Sequence, residues 1–421
     1  MLAFDANPPA NLAVARVPEP ATVSPWICCQ IGGREHYAVA RALDRHRALE
    51  LLVTDAWVRP GSPLGRLNAG LKARFHPELA AAEVYGPTVR SMAFELRARR
   101  AAQAGWPLVM ERNRWFQRVA LSQLTRIGPR GAAPVLMSYS YAAAELFAFA
   151  RRQGWRTVLG QIDPGPAEER IVGRLHDADP QTGGAWQRAP AAYWSEWRRE
   201  CALADRIVVN SVWSREALVG EGIAADKIRI VPLAYERSAE STGFDRRYPV
   251  SFSHARPLRV LFLGQVNLRK GAGPLLDAIR LLRGEPVEFT IVGPLQIAVP
   301  EDLLNHPQIR WQGPAPRAAT DRFYRDADLF LFPTFSDGFG LTQLEAQAWK
   351  LPIITTRCCG EVVTHGRNGW ILDRITPQAI ADALRECLRH PARLQAASEF
   401  GGVHERSGLA QVGRAWMKVF E

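Results

Sequence analysis

Asp337 and Glu345 are carboxylates eight residues apart in the stretch FPTFSDGFGLTQLE, Phe332–Glu345. The apolar run before them, Leu329–Phe332, has the length and composition of a buried strand. Pro333 ends it, because proline cannot donate to a sheet ladder. Ser336, Asp337, Gly338 and Gly340 then form a polar turn, and Leu341, Leu344 and Ala348 follow at helical spacing. A strand, a glycine turn and a helix start present backbone N–H groups and a positive helix end to an anion. Two acids flanking that anion site suit a ligand with both phosphate and hydroxyl groups, such as a nucleotide with its ribose. A plain helix cap with an exposed Glu345 fits the same residues, and this stretch alone leaves both readings open. A second stretch, Gly264–Gly271, reads GQVNLRKG between a strand and a helix. Gly264 lets the chain turn sharply, Arg269 and Lys270 bring positive charge, and Gly271 opens the helix. This is a diphosphate site in kind, although it lacks the GxxxxGK[ST] spacing of a Walker loop.

Such residues need elements to hold them. The apolar pattern of the first half predicts strands at Trp26–Ile31, Leu51–Thr54, Pro134–Met137, Thr157–Gly160, Arg206–Val209 and Ile228–Pro232. Helices are predicted between them, at Arg34–Leu43, Ala142–Arg152, Tyr193–Ala204 and Val212–Val219. Residues 236–257 lose the periodicity and read as a linker. The rhythm restarts with strands predicted at Arg259–Leu263, Phe289–Val292, Ile309–Gln312, Leu329–Phe332 and Ile353–Thr356. Alternating strands and helices predict the α/β class with parallel, helix-covered sheets. The expectation is two Rossmann-like doubly wound domains, 25–235 and 258–400, facing a central cleft. Residues 401–421 form a final helix expected to pack back on the first domain, and residues 1–24 read as a loose leader. Ligands in such sheets sit beyond the carboxyl ends of the strands, so the cleft is the expected site.

A chain of 421 residues exceeds one ordinary core, which agrees with two domains. No apolar run reaches the length of a membrane span, and the N-terminus lacks the basic start and apolar core of a secretory signal. The six cysteines form no CxxC and suggest neither a zinc site nor a disulfide framework, so a reducing, cytoplasmic setting is expected. The net charge of +11 is concentrated between Trp57 and Gly131, where thirteen basic residues face four acidic ones, a net of +9. Apolar residues interleave with these charges; Leu64, Leu67, Leu71 and Phe75 stand at helical spacing. Such a surface suits the anionic face of a membrane or a phosphorylated acceptor. An Arg-rich solvated face over ordinary core accounts for it equally well. No nucleic-acid motif accompanies the charge, so no nucleic-acid partner is expected.

The ordered motifs of the second half resemble the donor domain of the retaining glycosyltransferases of family 4, the group 1 enzymes with the GT-B fold. The matching residues are Gly264, Lys270-Gly271, the EGFG-like Asp337-Gly338-Phe339-Gly340, and Glu345. The likeness continues through Ala346, Pro352, Gly360-Glu361 and Gly366-Arg367-Asn368-Gly369, and back into Ala204–Glu236. It implies transfer of a sugar, with retention, from a UDP- or GDP-linked donor to a glycan or lipid-linked acceptor in cell-envelope synthesis. It implies that Lys270 and a basic neighbour, Arg269, offset the diphosphate and that Glu345 binds the ribose hydroxyls. Gly264, Gly338, Phe339, Gly340 and Leu341 would line the donor, with backbone N–H groups of the Asp337 turn facing sugar and phosphate. Fixed cations of this kind need no metal, and none is expected. Gly32 and Gly33 resemble the first-domain loop that closes on donor and acceptor.

The chain departs from that pattern at several points. Asp337 is a methylene shorter than the usual Glu, Gln265 replaces a basic residue, and Lys350 stands where a glycine is usual. The usual acceptor-side His is absent; the place reads Gln161-Ile162-Asp163-Pro164-Gly165, which leaves Asp163 as a candidate to orient acceptor or donor and His176 as a distant substitute. Asp163 also reads as a turn aspartate before Pro-Gly. His36 and Glu35 read as first-turn helix residues. The two DxD patterns, Asp177/Asp179 and Asp326/Asp328, read as caps and turns rather than metal ligands. Two other functions fit the same fold: a sugar-nucleotide epimerase or hydrolase, and a member that binds glycan or membrane without catalysis. A peripheral position on the inner face of the cell membrane is the expected location.

Overall fold

Trp26–Gln30 (β1) is buried over its whole length because a parallel strand is covered on both faces. The structure, a computed structural model, describes residues 24–67, 69–127, 132–184 and 186–421. Nearly all of the predicted leader and the end of the basic segment, including Arg130, lie outside the described residues. The remaining strands of the first domain are Leu49–Thr54 (β2), Val84–Tyr85 (β3), Val135–Tyr139 (β4), Arg156–Gly160 (β5), Arg206–Val209 (β6) and Ile228–Ile230 (β7). They form one parallel sheet in the order β3-β2-β1-β4-β5-β6-β7. Register is set through β1, where Cys28 faces Leu52 on one side and Met137 on the other.

The second domain repeats the plan with Leu258–Leu263 (β8), Val287–Val292 (β9), Ile309–Gly313 (β10), Leu329–Leu331 (β11), Ile353–Thr355 (β12) and Gly369–Ile371 (β13). Its order is β10-β9-β8-β11-β12-β13, again parallel. In each sheet the strand order reverses at one place, between β1 and β4 and between β8 and β11. A crevice opens at the carboxyl ends there. Those ends carry Gly32-Gly33 after β1, Tyr141 after β4, Gly264–Gly271 after β8 and the Asp337 turn after β11. The topology alone therefore brings the predicted residues toward one cleft. No helix among the described residues is long and apolar enough to cross a membrane.

The local structure differs from the predicted pattern in four places. β3 and β13 have two and three residues, too few to register as a period, and the pattern missed them. The helix predicted from Arg34 becomes regular only at Ala38; Glu35, His36 and Tyr37 hold φ values of 50°, 51° and 59°. That left-handed turn lets the Tyr37 ring bury against Trp57, at 5.5 Å between centroids. The linker is tied down at its second-domain end. Arg246 is buried and donates to the carbonyl oxygens of Tyr324 at 2.8 Å and Trp349 at 3.0 Å, and Tyr248 donates to Asp328 O at 2.7 Å. Asp328 is no exposed cap: it is 1% exposed and held between Arg256 and Arg259, which keep its carboxyl below the usual range against the opposing effect of burial.

The last helix, Leu409–Met417, crosses back to the first domain and packs on the helix Ala38–Arg45. Trp416 meets Trp26 edge-on at 6.4 Å, and Val412 and Val419 join the same core. Since burial of an indole on both sides is at stake, Trp416→Ala is expected to destabilise the first domain by about 3–5 kcal/mol. Denaturant unfolding followed by far-UV circular dichroism checks it.

Candidate active site in the interdomain cleft

The loop after β8 is built by its own side chains. Asn267 caps the short turn Leu268–Lys270 by accepting from the Lys270 N–H at 3.0 Å. Gly271 follows at φ 76°, and an added Cβ there would overlap the Pro333 carbonyl oxygen. Only glycine lets this loop lie against the end of β11. The consequence is that Lys270 and Arg269 project toward the Asp337 turn. Lys270 Nζ pairs with Asp337 and lies 4.7 Å from the centre of the Phe332 ring. Arg269 donates to Ser336 O at 2.8 Å and pairs with Glu168 of the first domain at 3.4 Å. Burial, then the neighbouring Arg269 charge, push the Lys270 ammonium down to about 7. The Glu168 carboxylate opposes both. Burial likewise raises Glu168, against the pull of Arg269.

The turn that carries Asp337 is where the two domains touch. An added Cβ at Gly338 would overlap the carbonyl oxygen of Ile162, so the two backbones meet without a side chain between them. Ser211 and Ser214 of the first domain donate to Gly338 O at 2.7 and 3.2 Å. Trp213 Nε1 donates to Ser336 Oγ at 3.2 Å, and Ser336 Oγ donates to Glu168 at 2.8 Å. Val212 N donates to Glu361 at 2.9 Å. Within the turn, the Asp337 N–H donates to Cys358 O and the Phe339 N–H to Asp337 Oδ1. Two of the N–H groups expected to face a ligand are thus already used, that of Asp337 by the loop after β12 and that of Phe339 by an Asx turn on the Asp337 side chain.

Glu345 sits one turn into the helix Thr342–Ala348 and is 13% exposed. Tyr324 Oη donates to its Oε2 at 2.7 Å, while Oε1 faces the half-exposed Arg317 at 3.6 Å. It is therefore neither the exposed cap nor a partner of Asp337, but a separate, oriented acceptor on the same domain. Asp163 comes to the opposite wall. It accepts from Tyr141 Oη at 2.5 Å, from Gln161 Nε2 at 3.1 Å and from Gly165 N at 2.8 Å. The last of these is the predicted turn bond; the first two tie Asp163 to the first-domain core. Gln161 is held in turn by Trp197 Nε1 at 3.0 Å, and Tyr141 by its N–H on the buried Glu200 at 2.7 Å. Burial pushes the Glu200 carboxyl up to about 7.

Asp163, Glu168 and Arg269 share a cavity of about 530 Å³. His176 also lines it, stacked on Trp186 at 5.0 Å, with burial lowering its imidazole. Gly32 and Gly33 lie elsewhere: Gly32 N donates to Asp55 at 2.8 Å, and Asp55 pairs with Arg74. Neither glycine lines that cavity. His36 is exposed. Asp177 pairs with Arg188 at 2.9 Å and Asp326 with Arg325 at 3.3 Å. No cluster of metal-ligating side chains occurs among the described residues. The pattern missed Glu168, Tyr141, Tyr193 and Glu169. Each is an ordinary residue on a helix or turn, and only the tertiary contact marks it.

Comparison with known proteins agrees with this geometry. Residues 257–390 match the family model for glycosyl transferases group 1, which is the second domain. A D-inositol 3-phosphate glycosyltransferase of Paenarthrobacter aurescens is 29% identical over 199 residues, 44% of this chain and 48% of that protein. The amylovoran biosynthesis glycosyltransferase AmsK of Erwinia amylovora is 26% identical over 192 residues, 42% of this chain and 45% of that one. The chain spans about half the length of the curated relatives it matches. Over nearly the whole chain the fold is that of HepE from Anabaena, solved with UDP and glucose: TM-score 0.56, 14% identity, 93% of this chain and 97% of that one. Two facing Rossmann-like domains of this kind are the GT-B architecture.

The depressed Lys270 gives a pH signature. Below about 7 it is an ammonium that would attract an anion such as a diphosphate; as pH rises through that value it becomes an amine that would have to take up a proton to pair with one. Affinity for a nucleotide diphosphate sugar should therefore hold at low pH and fall above neutrality, by up to about tenfold per pH unit. Lys270→Arg, which stays charged, should bind with a flat profile. Calorimetric titration at several pH values tests both.

Proposed function

We propose that the protein transfers a sugar from a nucleotide diphosphate sugar to an acceptor hydroxyl, without a metal and with retention of configuration. The observation that carries this reading is the half-buried pair of cations, Lys270 and Arg269, each held by a carboxylate at the carboxyl end of the β8–β11 crevice. A bond from C1 of the sugar to the acceptor oxygen forms, the C1–O bond to the diphosphate breaks with its electron pair going to the diphosphate oxygen, and the acceptor proton passes to that leaving diphosphate. The chemical need is to stabilise negative charge on the leaving diphosphate, and fixed cations in a dry site do so without reorganisation. The arriving phosphates would compete for Lys270 and Arg269, releasing Asp337 and Glu168 toward hydroxyl groups. Glu345, with one oxygen fixed by Tyr324, would accept from the ribose. UDP is the first base to test, since HepE was solved with it. A role in polysaccharide synthesis is supported by the likeness to AmsK.

Lys270→Ala and Glu345→Ala are expected to lower transfer by about 10²–10³ with the fold intact. A thermal-shift panel of UDP-, GDP- and ADP-sugars should raise the melting temperature for one base, because only the native state binds it. Unchanged turnover in both variants would overturn the assignment. Consumption of donor without any acceptor would favour an epimerase or hydrolase, and donor binding without turnover would favour a non-catalytic member.

The basic segment supports a position at the cytoplasmic face of a membrane. The helix Thr88–Arg100 exposes Val89 and Leu96 among Arg90, Arg97, Arg99 and Arg100. Part of the charge is consumed internally, since Arg112 pairs with Glu95 and Arg118 with Glu111. Binding to vesicles should rise with anionic lipid and fall with salt. Cosedimentation that is insensitive to both would remove this part of the reading.

A further inference from the structure

The cavity beside Asp163 has walls whose chemistry differs from the basic surface around it. One wall is aromatic: Tyr193 stacks on Tyr141 at 4.8 Å, with Trp106 tilted against it at 4.8 Å and Trp194 edge-on at 5.1 Å. Facing residues add the stacked pair His176 and Trp186. Trp106, Tyr193 and Trp186 are half-buried, so their rings border open space. The polar groups are mostly acceptors. Asp163, Glu168 and Glu169 all line the cavity. Among the described residues its one charged cation is Arg269, already paired with Glu168 and hydrogen-bonded to Ser336. Glu169 is fixed by Trp194 Nε1 at 2.6 Å and by the Ala189 N–H, so it cannot swing away.

We infer that this cavity binds the acceptor as an uncharged pyranoside and excludes phosphorylated acceptors. The inference rests on the proposed transfer and deepens it by naming the acceptor class. A pyranose ring has an apolar C–H face and a rim of hydroxyl donors. The first fits the electron-rich faces of the aromatic wall, and the second fits three oriented carboxylates. A phosphate in the same place meets those carboxylates with no free cation to offset it, which is discrimination by like charge. A purely apolar lipid tail would offer these carboxylates no donor beyond the protein partners they already have. The basic segment thus contributes Trp106 to this cavity but none of its charges.

The test uses the full chain saturated with UDP and a panel of methyl and octyl glucosides, galactosides and mannosides, each paired with its 6-phosphate. Saturation-transfer NMR and tryptophan emission report binding. At least one neutral glycoside should bind through its ring C–H groups, and its 6-phosphate should bind about tenfold more weakly or worse. Trp106→Ala should weaken the neutral glycoside by about tenfold while UDP still raises the melting temperature. Glu169→Gln should narrow the gap between the neutral and phosphorylated forms. A 6-phosphate that binds as tightly as its parent, a panel with no binder, or an unchanged glycoside Kd in Trp106→Ala would each overturn the inference. Loss of nucleotide binding by the unaltered protein would instead overturn the transfer reading, so the two failures are distinguishable.

Discussion

The cleft depends on one close approach, the seating of the Gly338 backbone on the carbonyl of Ile162. No side chain fits between them. Because the contact is backbone to backbone, it sets the separation of the two domains at that point. Ser211 and Ser214 then reach Gly338 O, and Glu168 reaches Ser336 and Arg269. Asp163, three residues before the helix Pro166–Ala178, comes opposite the Asp337 turn for the same reason. The carboxyl ends of two parallel sheets supply the elements; this contact supplies their distance.

Charge in the cleft is balanced rather than accumulated. Lys270 is held by Asp337 and Arg269 by Glu168, and each pair lies largely out of water. A buried cation without a partner would lose its proton or destabilise the fold. The pairs keep both cations in place, at the cost of engaging the groups a ligand would use. An incoming anion must therefore exchange partners, which fits a site meant to bind and release a charged leaving group. Directly beside these pairs, the acidic and aromatic cavity has the opposite bias.

The departures from the family pattern look different once the backbone is seen. Lys350 stands where a glycine is usual, and it keeps the left-handed conformation that a glycine would adopt, at φ 49°, with its ammonium on Asp245 at 2.6 Å. Gln265 carries no charge, but Arg269 in the same loop points into the cleft. Asp337 is the shorter acid, and both of its oxygens are engaged, Oδ1 by the Phe339 N–H and Oδ2 by Lys270. Glu345 keeps one oxygen toward the rim. Geometry and residue type therefore agree that the two acids do different work.

The α/β class, the two domains and the glycine loops after β8 and β11 were legible in the amino-acid sequence because each is a local pattern. An apolar run broken by glycine or proline marks a strand end within a few residues, and a parallel sheet then dictates where its loops gather. Lys270, Asp337 and Glu345 were placed at or just beyond strand ends that way. The short strands β3 and β13, the left-handed turn at Glu35–Tyr37 and the anchoring of Arg246 left no such period. The acceptor-side cavity was decided by tertiary structure alone. Glu168 meets Ser336 across 168 residues of chain, and Tyr141 meets Asp163 across 22. Contacts at such separations carry no spacing rule, since chain folding rather than helical or strand geometry brings them together. The sequence by itself thus determined which loops of the second domain gather at its crevice, and only the packing of one domain on the other determined what they face.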